Sequence, residues 1–354
     1  MDNLRIDSHK LMYHVSRVSK WLEGENIYPI YVEIAPSGAC NHRCVFCALE
    51  YLDYRPHFLR TDVLLDVISE MARKEVKGVM YAGEGEPLLH KDIGRIVRHT
   101  ADAGIDVSIT TNGVLLDRCM DKEFLAALSW MRVSLNAGTN MTYAKVHRSP
   151  ASDFDKVLRN LSDAVELKKR NRLACTIGVQ FLLLPQNYQE ATVLAERLRD
   201  VGVDYLTIKP FSQHPLSSST IDKDFDYGRY RYLEEQLLKM ANGQLKILFR
   251  AHTMQKLKDD RPYERCLGLP FFTYIDAAGN VYACSAFLGD ERFCYGNVYE
   301  NSFSEIWEGE RRKQVLNYVD TELDVSQCRK ACRLDEINRY LWELKCPHPH
   351  VNFI

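Results

Sequence analysis

Three cysteines crowded into one short stretch, Cys40-Asn41-His42-Arg43-Cys44-Val45-Phe46-Cys47, constrain this chain more than any other feature. Thiols spaced C-x3-C-x2-C in a tight loop can reach a single small metal centre, because short spacings of this kind are how thiolates hold iron-sulfur clusters. Three thiols on a four-iron cube leave one iron without a protein ligand. An open coordination position separates reactive metal centres from closed structural ones, by the logic that separates catalytic from structural zinc. The loop follows an apolar run, Tyr28 to Ala35, that reads as a strand. A zinc knuckle accommodates the same three cysteines, so the rest of the chain has to decide between them.

At 354 residues the chain exceeds one typical core, which predicts a large domain plus a smaller one. A net charge of -2 without a long basic run excludes a nucleic-acid or anionic-membrane partner, since both need a positive footprint. A small, near-neutral or polar substrate is expected. No stretch approaches the ~18 consecutive apolar residues of a membrane span. Residues 1–24 are polar without an apolar signal core, so a cytoplasmic location is expected. In that compartment eleven cysteines read as ligands or reactive thiols rather than disulfides.

The first 27 residues place Leu11, Val15, Val18 and Trp21 on one helical face, a short capping segment. Beyond the cysteine loop, strand-like runs at Gly78 to Ala82, Asp106 to Thr110, Trp130 to Leu135, Thr176 to Leu184 and Tyr205 to Lys209 alternate with amphipathic helices. With the run before the loop this makes six βα units over residues 28–215, the order that builds a parallel sheet with right-handed crossovers. Six units fall short of a closed eight-unit barrel, so a partial (β/α)6 TIM-like barrel is predicted, with function at the carboxyl ends of its strands. Residues 216–260 read as a helical linker and residues 261–354 as a small cysteine-rich domain.

The second strand ends in Gly83-Glu84-Gly85-Glu86-Pro87, where glycines allow a sharp turn and close approach and proline fixes the exit. The third runs into Thr110-Thr111-Asn112-Gly113 and the fourth into Ser134-Leu135-Asn136, while Gln180 interrupts the apolar fifth. Ser134 and Asn136 lie two apart, so they share a face if the strand continues. This set resembles the radical S-adenosylmethionine (SAM) enzymes, whose signature is C-x3-C-x-aromatic-C, with Phe46 as the aromatic. The resemblance implies a 4Fe-4S cluster on Cys40, Cys44 and Cys47 that binds SAM at its open iron and cleaves it to methionine and a 5'-deoxyadenosyl radical. It implies that Gly85, Glu86 and Pro87 receive the SAM ammonium group, with Glu84 standing where the family's G-G-E-P motif has its first glycine. Asn112, Ser134, Asn136 and Gln180 are then expected around the ribose and methionine portions. Arg148 and Lys209, at loop and strand ends, are candidates for a carboxylate or polar substrate group, although solvated charges are the commoner case.

The last segment carries Cys266, Cys284, Cys294, Cys328, Cys332 and Cys346, with Phe271 to Ile275 and Asn280 to Cys284 flanking Asp276-Ala277-Ala278-Gly279 as a hairpin would. It is similar to the auxiliary-cluster extension called SPASM, or its shorter form, Twitch. The full pattern has a further C-x2-C where Val319 and Glu322 stand. One auxiliary 4Fe-4S cluster is therefore implied, on Cys266, Cys284 and Cys332, with Cys328 as fourth ligand and Cys346 as its rival. A zinc ribbon is the alternative for these cysteines. Cys294 falls outside that set and is a candidate hydrogen-atom donor, whereas a small buried apolar residue is the plainer reading. Cys119 and Cys175 read as core.

These features lead to an oxidoreductase or epimerase acting on a small polar molecule, such as a sugar, aminocyclitol or glycoside, by dehydrogenation or epimerisation. A flavodoxin or ferredoxin is the electron donor that the resemblance implies. The alternatives are a peptide- or protein-modifying enzyme (thioether, epimerisation or maturase chemistry), against which the lack of an N-terminal recognition domain is weighed, and a metal-binding scaffold without catalysis.

Overall fold

The computed structural model describes residue 5 and residues 8–221, 225–241 and 243–353. One ten-stranded sheet runs through it in the order β10-β9-β8-β1-β2-β3-β4-β5-β6-β7. The strands are β1 (Tyr31–Ile34), β2 (Gly78–Tyr81), β3 (Asp106–Thr111), β4 (Leu128–Ser134), β5 (Thr176–Leu183), β6 (Tyr205–Pro210), β7 (Lys246–Phe249), β8 (Phe272–Ile275), β9 (Asn280–Tyr282) and β10 (Cys294–Asn297). Neighbours from β1 through β7 are parallel, and β8 is parallel to β1 on its other side. Antiparallel β9 and β10 extend that edge.

The helices are α1 (Val15–Leu22), α2 (Thr61–Arg73), α3 (Ile93–Asp102), α4 (Lys122–Ala127), α5 (Asn140–His147), α6 (Ser152–Asn171), α7 (Ala191–Val201), α8 (Tyr232–Met240), α9 (Ala251–Lys256), α10 (Phe303–Glu308), α11 (Glu310–Thr321) and α12 (Asp335–Lys345). Helix α3 shows why they dock: Ile93, Ile96, Val97 and Thr100 recur at helical spacing and all four are buried. Full burial of Ile96 or Val97 stabilises the fold by roughly 1.5–3 kcal/mol each.

Strand alternation then sorts the sheet into two faces. Val32, Ile34, Val79, Tyr81, Val107 and Ile109 are essentially inaccessible and share one core with Leu64, Ile68 and Met71 of α2. Residues of the opposite parity, in register across the strands, are mostly polar: Glu33, Met80 and Ser108 align on β1–β3, Thr110 with Arg132, and Ser134 with Gln180 and Thr207. The partial barrel is thus apolar toward its helices and polar toward its interior. A polar interior is a binding surface rather than a core.

Two details differ from the sequence reading. The stretch expected as a helical linker holds β7, whose backbone pairs with β6 and is continued by the Arg250 N–H donating to the Ile208 carbonyl at 2.9 Å. Only Ile247 of its four residues is buried, too short an apolar run to register as a strand. Val15 is 65% exposed, whereas Leu11 and Val18 are buried with Ile27, Ile30, Phe271 and Leu341 in a satellite core against the C-terminal segment.

Candidate active site

The cysteine loop leaves β1 and is pinned against the end of α5. The last carbonyls of a helix have no partner within it. Here the Val45 N–H donates to the Val146 carbonyl at 2.9 Å and the Arg43 N–H to the His147 carbonyl at 3.1 Å. Phe46 meets the His147 ring edge-on at 5.3 Å and packs on Leu182, Leu184 and Phe211. Burial, reinforced by neighbouring charge, pushes all three thiols up, Cys40 to about 12. Cys44 is raised further by Cys47 and Cys40, so the loop gathers its sulfurs into one site. Thiolates in such a place need a cation, and the iron of a cluster provides one.

Sequence reasoning missed His147. The Asn136 N–H donates to its Nε2 at 3.1 Å, which leaves Nδ1 carrying the ring proton, 3.3 Å from Cys44 Sγ. Burial holds this imidazole well below its ordinary pKa, so it stays neutral and donates to the sulfur. A histidine on a short helix gives no sequence signal for that task. Arg148, one residue on, is exposed in a left-handed conformation that ends α5.

The turn after β2 lies directly against the cysteine loop. A Cβ on Gly85 would sit 2.3 Å from the Ser37 carbonyl oxygen and 2.4 Å from that of Ala39, so only glycine fits. The Glu86 N–H donates to the Ala39 carbonyl at 2.8 Å. Its carboxylate, buried, accepts from Thr111 Oγ1 at 2.5 Å, the Asn112 N–H at 2.8 Å and the Leu88 N–H at 3.1 Å. Burial outweighs these three bonds and pushes its pKa up to about 7. Pro87 begins the single helical turn that Glu86 caps. Glu84 turns the other way, accepting from the Ala277 N–H of the β8–β9 hairpin at 2.9 Å, and burial raises it to about 8.

At the strand ends, Asn112 Nδ2 donates to Asn41 Oδ1 of the cysteine loop at 2.7 Å, and its Oδ1 caps the Val114 N–H at 3.0 Å. Asn112 therefore makes the turn and ties it to the loop. Strand β4 ends at Ser134, so Asn136 lies beyond it and the expected shared strand face does not extend that far. Asn136 is fully buried, accepting from the Leu182 N–H at 2.6 Å, while its Nδ2 has no hydrogen-bond partner. Gln180 has no side-chain partner among the described residues. An orphaned buried amide donor at Asn136, next to the His147 that touches the cysteine loop, and a free amide on the interior strand face at Gln180 fit a polar ligand such as SAM.

The C-terminal cysteines divide. Cys266, Cys284, Cys328 and Cys332 lie close enough that the neighbouring thiols add to burial in raising Cys266 and Cys284, and burial followed by Cys332 raises Cys328 to about 11. Asn338 Nδ2 donates to Cys266 Sγ at 3.5 Å and the Leu334 N–H to Cys332 Sγ at 3.4 Å. Arg261 fastens the C-x3-C loop by donating to the carbonyls of Val325, Cys328 and Arg329. Cys346 is exposed at the end of α12. Cys294 is buried on β10, its Sγ 3.6 Å from the Gly296 carbonyl, and is not among the four. Cys175 is buried and Cys119 half-buried, both against the core.

Comparison with known proteins accounts for this layout. Residues 34–198 match the model of the Radical SAM superfamily, and residues 266–333 match SPASM, an iron-sulfur cluster-binding domain. The chain is 25% identical to the tungsten-containing aldehyde ferredoxin oxidoreductase cofactor-modifying protein of Pyrococcus furiosus, over 92% of this chain and 98% of the relative. It is 30% identical to a probable GTP 3',8-cyclase of Saccharolobus solfataricus, over 59% of this chain and 65% of that one. Among solved structures, Streptococcus suis SuiB bound to precursor peptide SuiA superposes with a TM-score of 0.66 at 16% identity, covering 94% of this chain and 77% of that chain. Native anSMEcpe with bound AdoMet gives 0.55 at 17%, covering 90% and 98%. At these identities the structures establish the shared fold. The chain belongs to the radical SAM superfamily and carries a SPASM segment, and its cofactors are SAM, a 4Fe-4S cluster and auxiliary iron-sulfur.

Proposed function

We propose that this radical SAM enzyme modifies a peptide or a protein-borne group, with Cys40, Cys44 and Cys47 holding the SAM-cleaving cluster and Cys266, Cys284, Cys328 and Cys332 the auxiliary one. When bound, the first cluster supplies the electron that splits SAM into methionine and a hydrogen-abstracting 5'-deoxyadenosyl group. The chain's own residues prepare that event. Gly85 lets the turn approach the loop, Glu86 offers a buried carboxylate to the SAM ammonium group, and Asn136 Nδ2 and Gln180 offer donors to the rest of the molecule. His147 holds Cys44 by hydrogen bonding to its sulfur.

The observation that carries the reading is continuity between the two thiol sites. Strand β8 pairs with β1, and Glu84 reaches from the turn beside the cysteine loop to the β8–β9 hairpin. A substrate in the barrel then has a hydrogen-abstracting group on one side and an electron acceptor on the other. The expectation of a sugar or aminocyclitol has no counterpart among the relatives reported above. The peptide reading is supported by the solved structures that share this architecture, SuiB with its precursor peptide among them. A flavodoxin or ferredoxin is the proposed reductant.

The test is anaerobic reconstitution followed by iron and sulfide quantitation, 5'-deoxyadenosine assay, and incubation with short peptides encoded beside the gene. Cys328→Ser is expected to lose about four irons per chain while Cys346→Ser keeps them. A SAM-dependent loss of two hydrogens from a peptide supports the reading. Deoxyadenosine without any peptide product overturns the substrate assignment and leaves the radical chemistry standing.

A further inference from the structure

We propose that Arg132 and Lys209 form an oxyanion subsite on the inner face of the barrel, which takes a carboxylate or phosphate of the substrate. The subsite rests on the radical SAM reading above and names the chemistry of the group recognised. Strand register places both side chains on the interior face: Arg132 aligns with Thr110 and Gly178, Gly178 with Tyr205, and Lys209 lies four residues further along β6 at the same parity. The Arg132 guanidinium donates to Thr110 Oγ1 at 3.2 Å and lies 5.0 Å from the Trp130 ring centroid, while its Nε is buried without a hydrogen-bond partner.

The Lys209 backbone pairs within the sheet, but its ammonium has no hydrogen bond and no ion pair among the described residues. Burial, and then the guanidinium groups of Arg132, Arg250, Arg329 and Arg333, hold it well below its ordinary pKa. Cations are therefore brought together here from strands β4 and β6 and from the SPASM segment. Arg250 and Arg329 have further partners of their own, and Arg333 is paired with Glu33 at 2.6 Å. Among the described residues, Arg132 and Lys209 are left without a carboxylate.

A desolvated cation without a counter-charge destabilises the fold, so two of them on one interior face are explained by an anion that arrives with the substrate. A guanidinium binds a planar or tetrahedral oxyanion through paired N–H groups, and an ammonium adds a point charge. The half-buried position also explains why composition did not show it. A net charge of -2 describes the outside of the molecule and says nothing about the sign of its interior.

The experiment is isothermal titration of reconstituted, SAM-saturated enzyme with inorganic phosphate and, separately, with citrate, at constant ionic strength in chloride. Wild type is expected to bind one or both saturably, and the one that binds identifies the subsite as phosphate- or carboxylate-selective. Arg132→Gln/Lys209→Met is expected to weaken that binding at least tenfold, and Arg132→Lys/Lys209→Arg to restore most of it. Cluster iron and SAM affinity should stay at wild-type values in both variants, which separates failure of the subsite from failure of the radical SAM site. No saturable binding in wild type, equal binding in the charge-free variant, or displacement of SAM by the anion overturns the proposal.

Discussion

Glu86→Gln tests the central electrostatic feature of the SAM site. The Glu86 carboxylate is 2% exposed, and burial raises its pKa from an ordinary 4.5 to about 7 despite hydrogen bonds from Asn112, Thr111 and Leu88. Over that interval the folded protein keeps a proton that the unfolded chain has lost, so fewer protons are bound in the unfolded state and stability falls as pH rises. At 1.36 kcal/mol per pKa unit, the raised carboxyl withdraws roughly 3 kcal/mol of stability between pH 4.5 and 7. Glutamine does not titrate. Urea unfolding of cluster-free protein, followed from pH 5 to pH 8, should show the variant gaining on wild type by most of that amount. Glu84, raised to about 8, contributes a slope of the same sign, but it is present in both proteins and cancels in the difference. A difference that stays constant across the range refutes the reasoning. A SAM ammonium group at Glu86 reverses the effect by favouring the ionised form, so SAM affinity in reconstituted enzyme should rise with pH through 7 in wild type and not in the variant.

Gly85→Ala drives a methyl group onto backbone atoms of Ser37, Gly38 and Ala39, all within 2.7 Å of it. It should cost about 3 kcal/mol in unfolding experiments and more than tenfold in SAM affinity. Gly104→Ala is the control, since φ there is +81° with nothing within 4 Å. It should lose about 1 kcal/mol and leave SAM binding unchanged. His147→Phe keeps the ring stacked on Tyr143, now 4.3 Å away, but removes the donor to Cys44. Without that N–H the more negative reduced cluster is less stabilised, so potentiometry should find the midpoint lower by on the order of tens of millivolts.

The barrel was legible because its apolar face repeats on every strand from β1 to β6, and turn residues mark each strand end. Strand β7 escaped because one buried residue in four carries no period. The cysteine loop was legible from spacing alone, since short-range spacing survives without tertiary information. The choice between Cys328 and Cys346 was not, because it depends on which side of α12 returns to the cluster loop. Asn112 and Asn136 were found as polar residues near the right place, yet most of their hydrogen-bonding capacity serves backbone and loop. Sequence position gives proximity, and only geometry apportions the hydrogen bonds. Lys209 stood out as a charge at a strand end, but His147 and Arg132 were invisible for a related reason: each acquires its meaning from a partner far away in the chain.

The same dependence on distant partners makes the Glu33–Arg333 pair the sharpest test of how the SPASM segment is held. Glu33 lies on the strand that leads into the cysteine loop, and Arg333 follows Cys332. They meet at 2.6 Å, with Arg333 also donating to the Tyr31 hydroxyl at 3.2 Å and lying near the Tyr31 and Phe272 rings. Glu33 is 5% exposed, so Arg333→Gln leaves a desolvated carboxylate without its cation. Removing one partner of a fully buried pair typically costs about 3–5 kcal/mol. The Arg333 side chain is 37% exposed and water screens it, so about half of that is expected here, part of it the stranded Glu33 charge rather than the lost attraction. Glu33→Gln/Arg333→Gln removes the stranded charge and should recover roughly 1–3 kcal/mol relative to the sum of the single variants. Urea unfolding of the four proteins at pH 8 gives the coupling directly. Additive losses would mean that β8 pairing with β1 holds the segment by itself and that the ion pair contributes nothing to the spacing between the two thiol sites.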